Sequence, residues 1–259
     1  MLLYLTLGLF EDISGRWDWG DIEIIRVYRE GERKDGVGWP WIEFVDRQTG
    51  KVLFKSYLYD EDMRISFPLE VYIRDFDGDG MDEALLVFES GGSGCCRYNY
   101  LVDRNWHDFR VVLKVDPFIL DTIVDLDGDG DLELIFLSET FYVFTCNACQ
   151  PIFYIVYTYE DGKWKCSRKM SIQQNARHLW RGQEFFSPED STTGMQMALW
   201  ELQNVTFLIF SGRLEQAKRY FMRKWKGEDK EEAWERAIED VSGYKGFECI
   251  YPGWRKNLR

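Results

Sequence analysis

The sequence holds only two histidines, His107 and His178, in 259 residues. It carries no Gly-x-Ser-x-Gly elbow, no His-Glu-x-x-His helix and no phosphate-cradling glycine loop, so the common signatures of hydrolases, zinc proteases and nucleotide-binding enzymes are missing. No apolar run reaches the ~18 residues that a membrane-spanning helix requires. Basic residues are in deficit: 32 Lys and Arg against 45 Asp and Glu leave a net charge of −13. Such a field repels phosphate backbones and attracts cations, which argues against nucleic acid as a partner. Apolar side chains are not scarce. They make up 45% of the chain, with 17% aromatic, enough to bury a core in one large domain or two smaller ones and to exclude wholesale disorder.

The first ten residues are apolar and break at Glu11-Asp12. They have the look of a short signal core but lack a basic stretch before it and a small-x-small cleavage pattern. They read either as an export segment or as a first strand or helix packed on the core. Six cysteines follow: Cys95, Cys96, Cys146, Cys149, Cys166 and Cys249. The even count fits disulfides in an oxidising compartment, so a periplasmic or secreted location is expected, with the cytoplasm left open. A thioredoxin-like Cys146-x-x-Cys149 pair should open a helix, whereas its flanks, Phe141–Phe144 and Pro151–Tyr154, read as strands. A zinc site needs four spaced ligands, and adjacent Cys95 and Cys96 diverge on an extended backbone. Structural disulfides are the simplest reading.

The strongest signal is a repeat. Asp75-Phe76-Asp77-Gly78-Asp79-Gly80-Met81-Asp82-Glu83 recurs 50 residues later as Asp125-Leu126-Asp127-Gly128-Asp129-Gly130-Asp131-Leu132-Glu133. Loop positions 1, 3, 5 and 9 are acidic, and position 7 offers a backbone carbonyl. The expected ligand sets are Asp75, Asp77, Asp79, Met81 and Glu83, then Asp125, Asp127, Asp129, Asp131 and Glu133. Calcium takes six to eight hard oxygens at flexible distances, whereas magnesium keeps waters and a strict octahedron. Two Ca²⁺ sites are therefore expected. The glycines permit the tight curl by accepting positive φ. Carboxylates this dense repel one another without a divalent ion. An EF-hand is excluded, because position 12 is Leu86 and Phe136 instead of a closing Glu. The flanks Leu69–Arg74, Ala84–Phe88, Ile123-Val124 and Leu134–Leu137 carry strand patterns. The unit is strand, calcium loop, strand.

These two loops resemble the calcium loops of FG-GAP/VCBS repeats, the blades of integrin-alpha-type β-propellers. The resemblance implies a scaffold and calcium ligation by the residues just named. It departs from the family in its position-9 Glu and in lacking a clear Phe-Gly…Gly-Ala-Pro segment. Gly91–Cys96 is similar to a Gly-Gly-x-x-Cys-Cys stretch in some uncharacterised bacterial proteins with such loops.

Strand signals continue at Ile22–Arg29, Trp39–Val45, Val52–Tyr59, Tyr98–Val102, Arg110–Val115, Ile152–Tyr159 and Trp164–Met170. The expected fold is mainly β with C-terminal helices: three antiparallel meander units over residues 20–170, forming an open or partial β-propeller-like body with covered edges. Residues 1–19 are read as an N-terminal apolar segment, 171–191 as an irregular polar linker, and 192–259 as a helical cap. In that cap Met195, Leu199, Leu202, Val205 and Ile209, then Leu214, Ala217, Phe221 and Trp225, then Trp234, Ala237, Ile238 and Val241 repeat at helical spacing. Equivalent places in the repeat suggest a bridge between the Cys95/Cys96 and Cys146/Cys149 pairs, leaving Cys166 to Cys249. Trp17/Trp19 and Trp39/Trp41 alternate as a core face or as a binding platform. The function expected is a calcium-stabilised, non-catalytic scaffold or a module for a protein or carbohydrate ligand. A calcium-dependent hydrolase, for which a pocket joining His178, Arg181 and a carboxylate would speak, and a thiol oxidoreductase at Cys146/Cys149 are the alternatives.

Overall fold

The computed structural model describes residues 15–27, 41–57, 70–89, 97–105, 108–115, 118–139, 142, 150–186 and 196–254. Three four-stranded antiparallel meanders follow one another along the chain. The first contains β1 (Arg16–Trp19), β2 (Ile22–Val27), β3 (Trp41–Asp46) and β4 (Val52–Tyr57). The second contains β5 (Glu70–Arg74), β6 (Glu83–Glu89), β7 (Arg97–Asn105) and β8 (Asp108–Val115). The third contains β9 (Ile119–Val124), β10 (Glu133–Glu139), β11 (Ile152–Glu160) and β12 (Lys163–Cys166). Among the described residues, helices follow: α1 (Arg168–Arg177), α2 (Gly182–Phe185), α3 (Leu199–Phe210), α4 (Leu214–Lys224), α5 (Lys230–Ser242) and α6 (Lys245–Ile250). None is long and apolar enough to cross a membrane.

The unbroken apolar run of β6 follows from burial on both faces. Ala84, Leu86 and Phe88 pack with Trp19, Ile22, Ile24 and Phe44 of the first sheet. Leu85 and Val87 pack with Leu134 and Phe136 of the third. The opposite face of the third sheet, through Ile135, Tyr154 and Val156, meets Met170 of α1 and Phe207 of α3. Each fully buried Phe, Leu or Ile in these layers contributes about 1.5–3 kcal/mol. Phe153 of β11 stacks on Phe210 of α3 with ring centroids 3.8 Å apart, so the helices share the core of the sheets.

The helices also close an open sheet edge. Strand β12 pairs only with Tyr157–Glu160 of β11, which leaves the outward amides of Ile152, Tyr154 and Val156 without a strand partner. Side chains take that place. Gln203 accepts from Ile152 N and donates to Ile152 O at 2.8 and 2.7 Å. Asn175 accepts from Tyr154 N and donates to Tyr154 O at 2.9 and 2.7 Å. Ser171 Oγ accepts from Val156 N at 2.9 Å, and Ser167 N donates to Val156 O at 2.8 Å. An edge that invites aggregation is thus covered by buried polar residues of α1 and α3.

Two boundaries differ from the sequence reading. The segment 171–191, expected to be an irregular linker, holds most of α1 and all of α2, and the strand expected over Trp164–Met170 ends at Cys166. Ser167 caps α1, its Oγ accepting from Met170 N. The inward face of α1 is largely polar, with Ser171 and Asn175 fully buried and Met170 the single buried apolar residue, so it shows no apolar periodicity. The first sheet begins at Arg16 instead of residue 20, because a two-residue turn at Gly20-Asp21, with Gly20 at φ +62°, joins β1 to β2. Trp19 is 3% exposed and Trp17 packs beside it, so this pair belongs to the core face. Cys166 and Cys249 form a disulfide with Cα atoms 6.1 Å apart, tying α6 to the last sheet as expected. The apolar start, Trp39, His107, Met195 and the Cys95, Cys96, Cys146 and Cys149 positions lie outside the described residues.

Candidate metal centre

The two acidic segments form equivalent loops, Asp75–Asp82 between β5 and β6 and Asp125–Leu132 between β9 and β10. Gly78 and Gly80 sit at φ +73° and +87°, and Gly128 and Gly130 at +82° and +102°. These are left-handed conformations that a side chain resists. Phe76, at position 2, is completely buried beneath its loop. Its amide donates to Glu83 Oε2 at 2.7 Å, and the amide of Leu126 donates to Glu133 Oε2 at 2.6 Å. Each position-9 glutamate therefore folds back under the loop from the start of the next strand.

In the first loop, carboxylate oxygens of Asp75, Asp77, Asp79 and Glu83 lie within 4.8 Å of one another. Gly80 N donates to Asp75 Oδ2 at 2.9 Å and Met81 N to Asp79 Oδ1 at 2.8 Å. Asp75 Oδ1 is buried with no hydrogen-bond partner. A buried carboxylate oxygen without a donor is costly unless a cation takes it. Glu83 is only 2% exposed. Burial and the charges of Asp77, Asp79 and Asp75 push its carboxyl up to about 8, against the opposing pull of the Phe76 amide. Burial, followed by the charge of Asp79, also raises Asp77. The donor set is all hard oxygen, strained by its own charge, and matches what a divalent cation relieves.

The second loop gathers Asp125, Asp127 and Glu133 in the same way. Thr158 of β11 donates to Glu133 Oε1 at 3.1 Å, and burial raises the Glu133 carboxyl. Asp129 is not part of this cluster; its Oδ1 accepts from Asp131 N at 3.0 Å. Asp131 turns toward the first loop: a Cβ placed on Gly78 would lie 2.5 Å from Asp131 Oδ1. Burial, then the charges of Asp129, Asp77 and Asp75, raise the Asp131 carboxyl. Leu132 N donates to Phe76 O at 2.9 Å, so the loops are bonded to each other directly. Trp19 Nε1 donates to Asp82 O at 2.9 Å and fastens the first sheet to the same place. Met81 leaves its side chain half exposed, consistent with a role through its backbone carbonyl alone.

Sequence reading missed Thr158, the reach of Asp131 and Tyr159, whose side chain hydrogen-bonds Asp77. Thr158 acts across neighbouring strands of one sheet, Tyr159 from the third sheet onto the first loop and Asp131 from one loop to the next, and no spacing within a repeat marks them. His178 sits at the C-terminus of α1, stacked on Tyr154 with centroids 4.7 Å apart and against Phe207. Its Nδ1 is buried without a partner. Burial lowers its pKa, helped by Arg181 and opposed by Asp121. Arg181 itself is engaged by Glu184 at 2.7 Å. No family model, curated protein or solved structure matches the chain.

Proposed function

We propose that each acidic loop binds one Ca²⁺ and that the chain is a calcium-stabilised, non-catalytic binding or scaffold module of the FG-GAP/VCBS type, its three stacked meanders acting as blades of an open, partial propeller. The observation that carries this reading is the first loop: four carboxylates converging within 4.8 Å, one of them with a buried orphan oxygen. Asp75, Asp77, Asp79 and Glu83 would hold the ion there, with the Met81 carbonyl. In the second loop Asp125, Asp127 and Glu133 would hold it, with the Asp131 carbonyl. Calcium suits oxygen donors on a flexible loop better than magnesium does. The ion would neutralise the loops and fix the bonds between neighbouring sheets, so its role is structural and its release loosens the stack.

Calorimetric titration of EDTA-treated protein tests this. The expected result is two Ca²⁺ per chain, with a melting temperature that rises with calcium concentration. A flat titration, or stoichiometric binding that leaves melting unchanged, defeats the reading.

A further inference from the structure

The second and third sheets face each other across a cleft of about 410 Å³, within the ~300–1,000 Å³ usual for small-molecule sites. Asp77 and Glu83, two members of the first acidic cluster, form its floor. On one side stand Val111 and the Asp103–Arg110 pair, in which guanidinium Nε and Nη2 both reach Asp103 Oδ2, at 2.7 and 2.6 Å. On the other side stand Lys163 and the rings of Tyr159 and Trp164, centroids 5.7 Å apart and tilted by 51°. The Tyr159 hydroxyl also interacts with Asp77 on that floor.

We propose that this cleft binds a neutral saccharide, with a vicinal pair of sugar hydroxyls completing the coordination of the cation held by the first loop; the inference rests on the calcium reading of that loop. Four features point to this ligand. The walls carry both signs of charge, so neither a strong anion nor a strong cation is matched. The whole chain is acidic at −13, which further disfavours anions. Aromatic rings provide flat apolar surface for the C–H face of a sugar ring while keeping polar edges nearby. The Asp103–Arg110 pair has spare acceptor and donor capacity, Asp103 Oδ1 and Arg110 Nη1, beside that surface, and hydroxyl groups satisfy both kinds. Calcium tolerates variable coordination and takes neutral oxygens as readily as water. A hydroxyl pair can therefore replace waters without adding charge.

Saturation-transfer NMR with methyl α-mannoside, methyl β-galactoside and N-acetylglucosamine, with glucuronate as the anionic control, tests the proposal in calcium and in EDTA. At least one neutral sugar should give signal in calcium and lose it in EDTA. Trp164→Ala should weaken that binding at least tenfold while still titrating two calcium ions. Val111→Glu, at a half-exposed wall position, should do the same without touching the core. Two calcium ions with no neutral-sugar signal overturn the sugar site alone. Sugar binding that survives EDTA or both substitutions, or glucuronate bound more tightly than the neutral sugars, overturns it as well. Absence of calcium binding in the calorimeter brings down the metal reading and this inference with it.

Discussion

Asn175→Ala isolates the device that closes the edge of β11. Asn175 is completely buried and makes three hydrogen bonds: from Tyr154 N, to Tyr154 O and to Ser171 O, at 2.9, 2.7 and 2.8 Å. The alanine leaves the Tyr154 amide and carbonyl unpaired beneath α1, where water has little access. Each orphaned group costs about 1–3 kcal/mol, and the space left by the amide adds to this. A loss of roughly 3–5 kcal/mol is expected, a large part of the ~5–15 kcal/mol that holds a typical domain. Asn175→Asp should be worse than alanine near neutral pH. It keeps an acceptor for Tyr154 N but turns an oxygen toward two carbonyls and buries a charge. The assay is urea unfolding followed by circular dichroism, with hydrogen exchange at the Tyr154 amide as the local readout. A loss below 1 kcal/mol with unchanged exchange at that amide refutes the claim that Asn175 substitutes for a missing strand.

Glu83→Gln should have opposite effects without and with calcium. The folded pKa of Glu83, about 8, lies above its ordinary 4.5, so the folded metal-free protein holds this proton more tightly than the unfolded chain. That contribution to stability is complete below pH 4.5 and is lost as pH rises through 8. At pH 7, 2.5 units above 4.5, the cost is about 3 kcal/mol at ~1.36 kcal/mol per unit. Glutamine keeps an acceptor for Phe76 N and carries no charge, so in EDTA the variant should be more stable than the parent at pH 7–8, equal at pH 4, and should lose most of the calcium-induced rise. A variant less stable than the parent in EDTA at pH 8, by urea unfolding, would contradict this. Replacing both Cys166 and Cys249 by serine opens a constraint between residues 83 apart in sequence. Chain-entropy arithmetic sets the expected loss at up to about 4–5 kcal/mol, read by denaturant midpoint. No loss would show that the bridge does not constrain the unfolded chain.

Much of the fold is legible in the sequence because its elements obey simple periods. Glu70–Arg74 alternates, the apolar runs of β6 and β10 mark strands buried on both faces, and α3, α4 and α5 repeat their apolar residues at helical spacing. Helix α1 hides because only Met170 among its buried residues is apolar, while Ser171 and Asn175 bond an edge strand instead of filling a core. The candidate ligands are legible because all lie on one short loop. Their supports are not: Thr158 reaches Glu133 only once β10 and β11 pair in register, and Tyr159 reaches Asp77 and Asp131 approaches Gly78 only once sheets stack and loops meet. His178 shows the reverse case. The hydrolase alternative asks for it in a pocket with Arg181 and a carboxylate, whereas its ring is packed among Tyr154, Phe185 and Phe207.

The most direct test is a crystal structure of the protein grown in millimolar calcium. Density for one ion in each loop is expected, at about 2.3–2.6 Å from carboxylate oxygens, with Asp75, Asp77, Asp79 and Glu83 around the first and Asp125, Asp127 and Glu133 around the second. Loops that hold only water under those conditions, with Asp75 Oδ1 still unpartnered, would contradict the account.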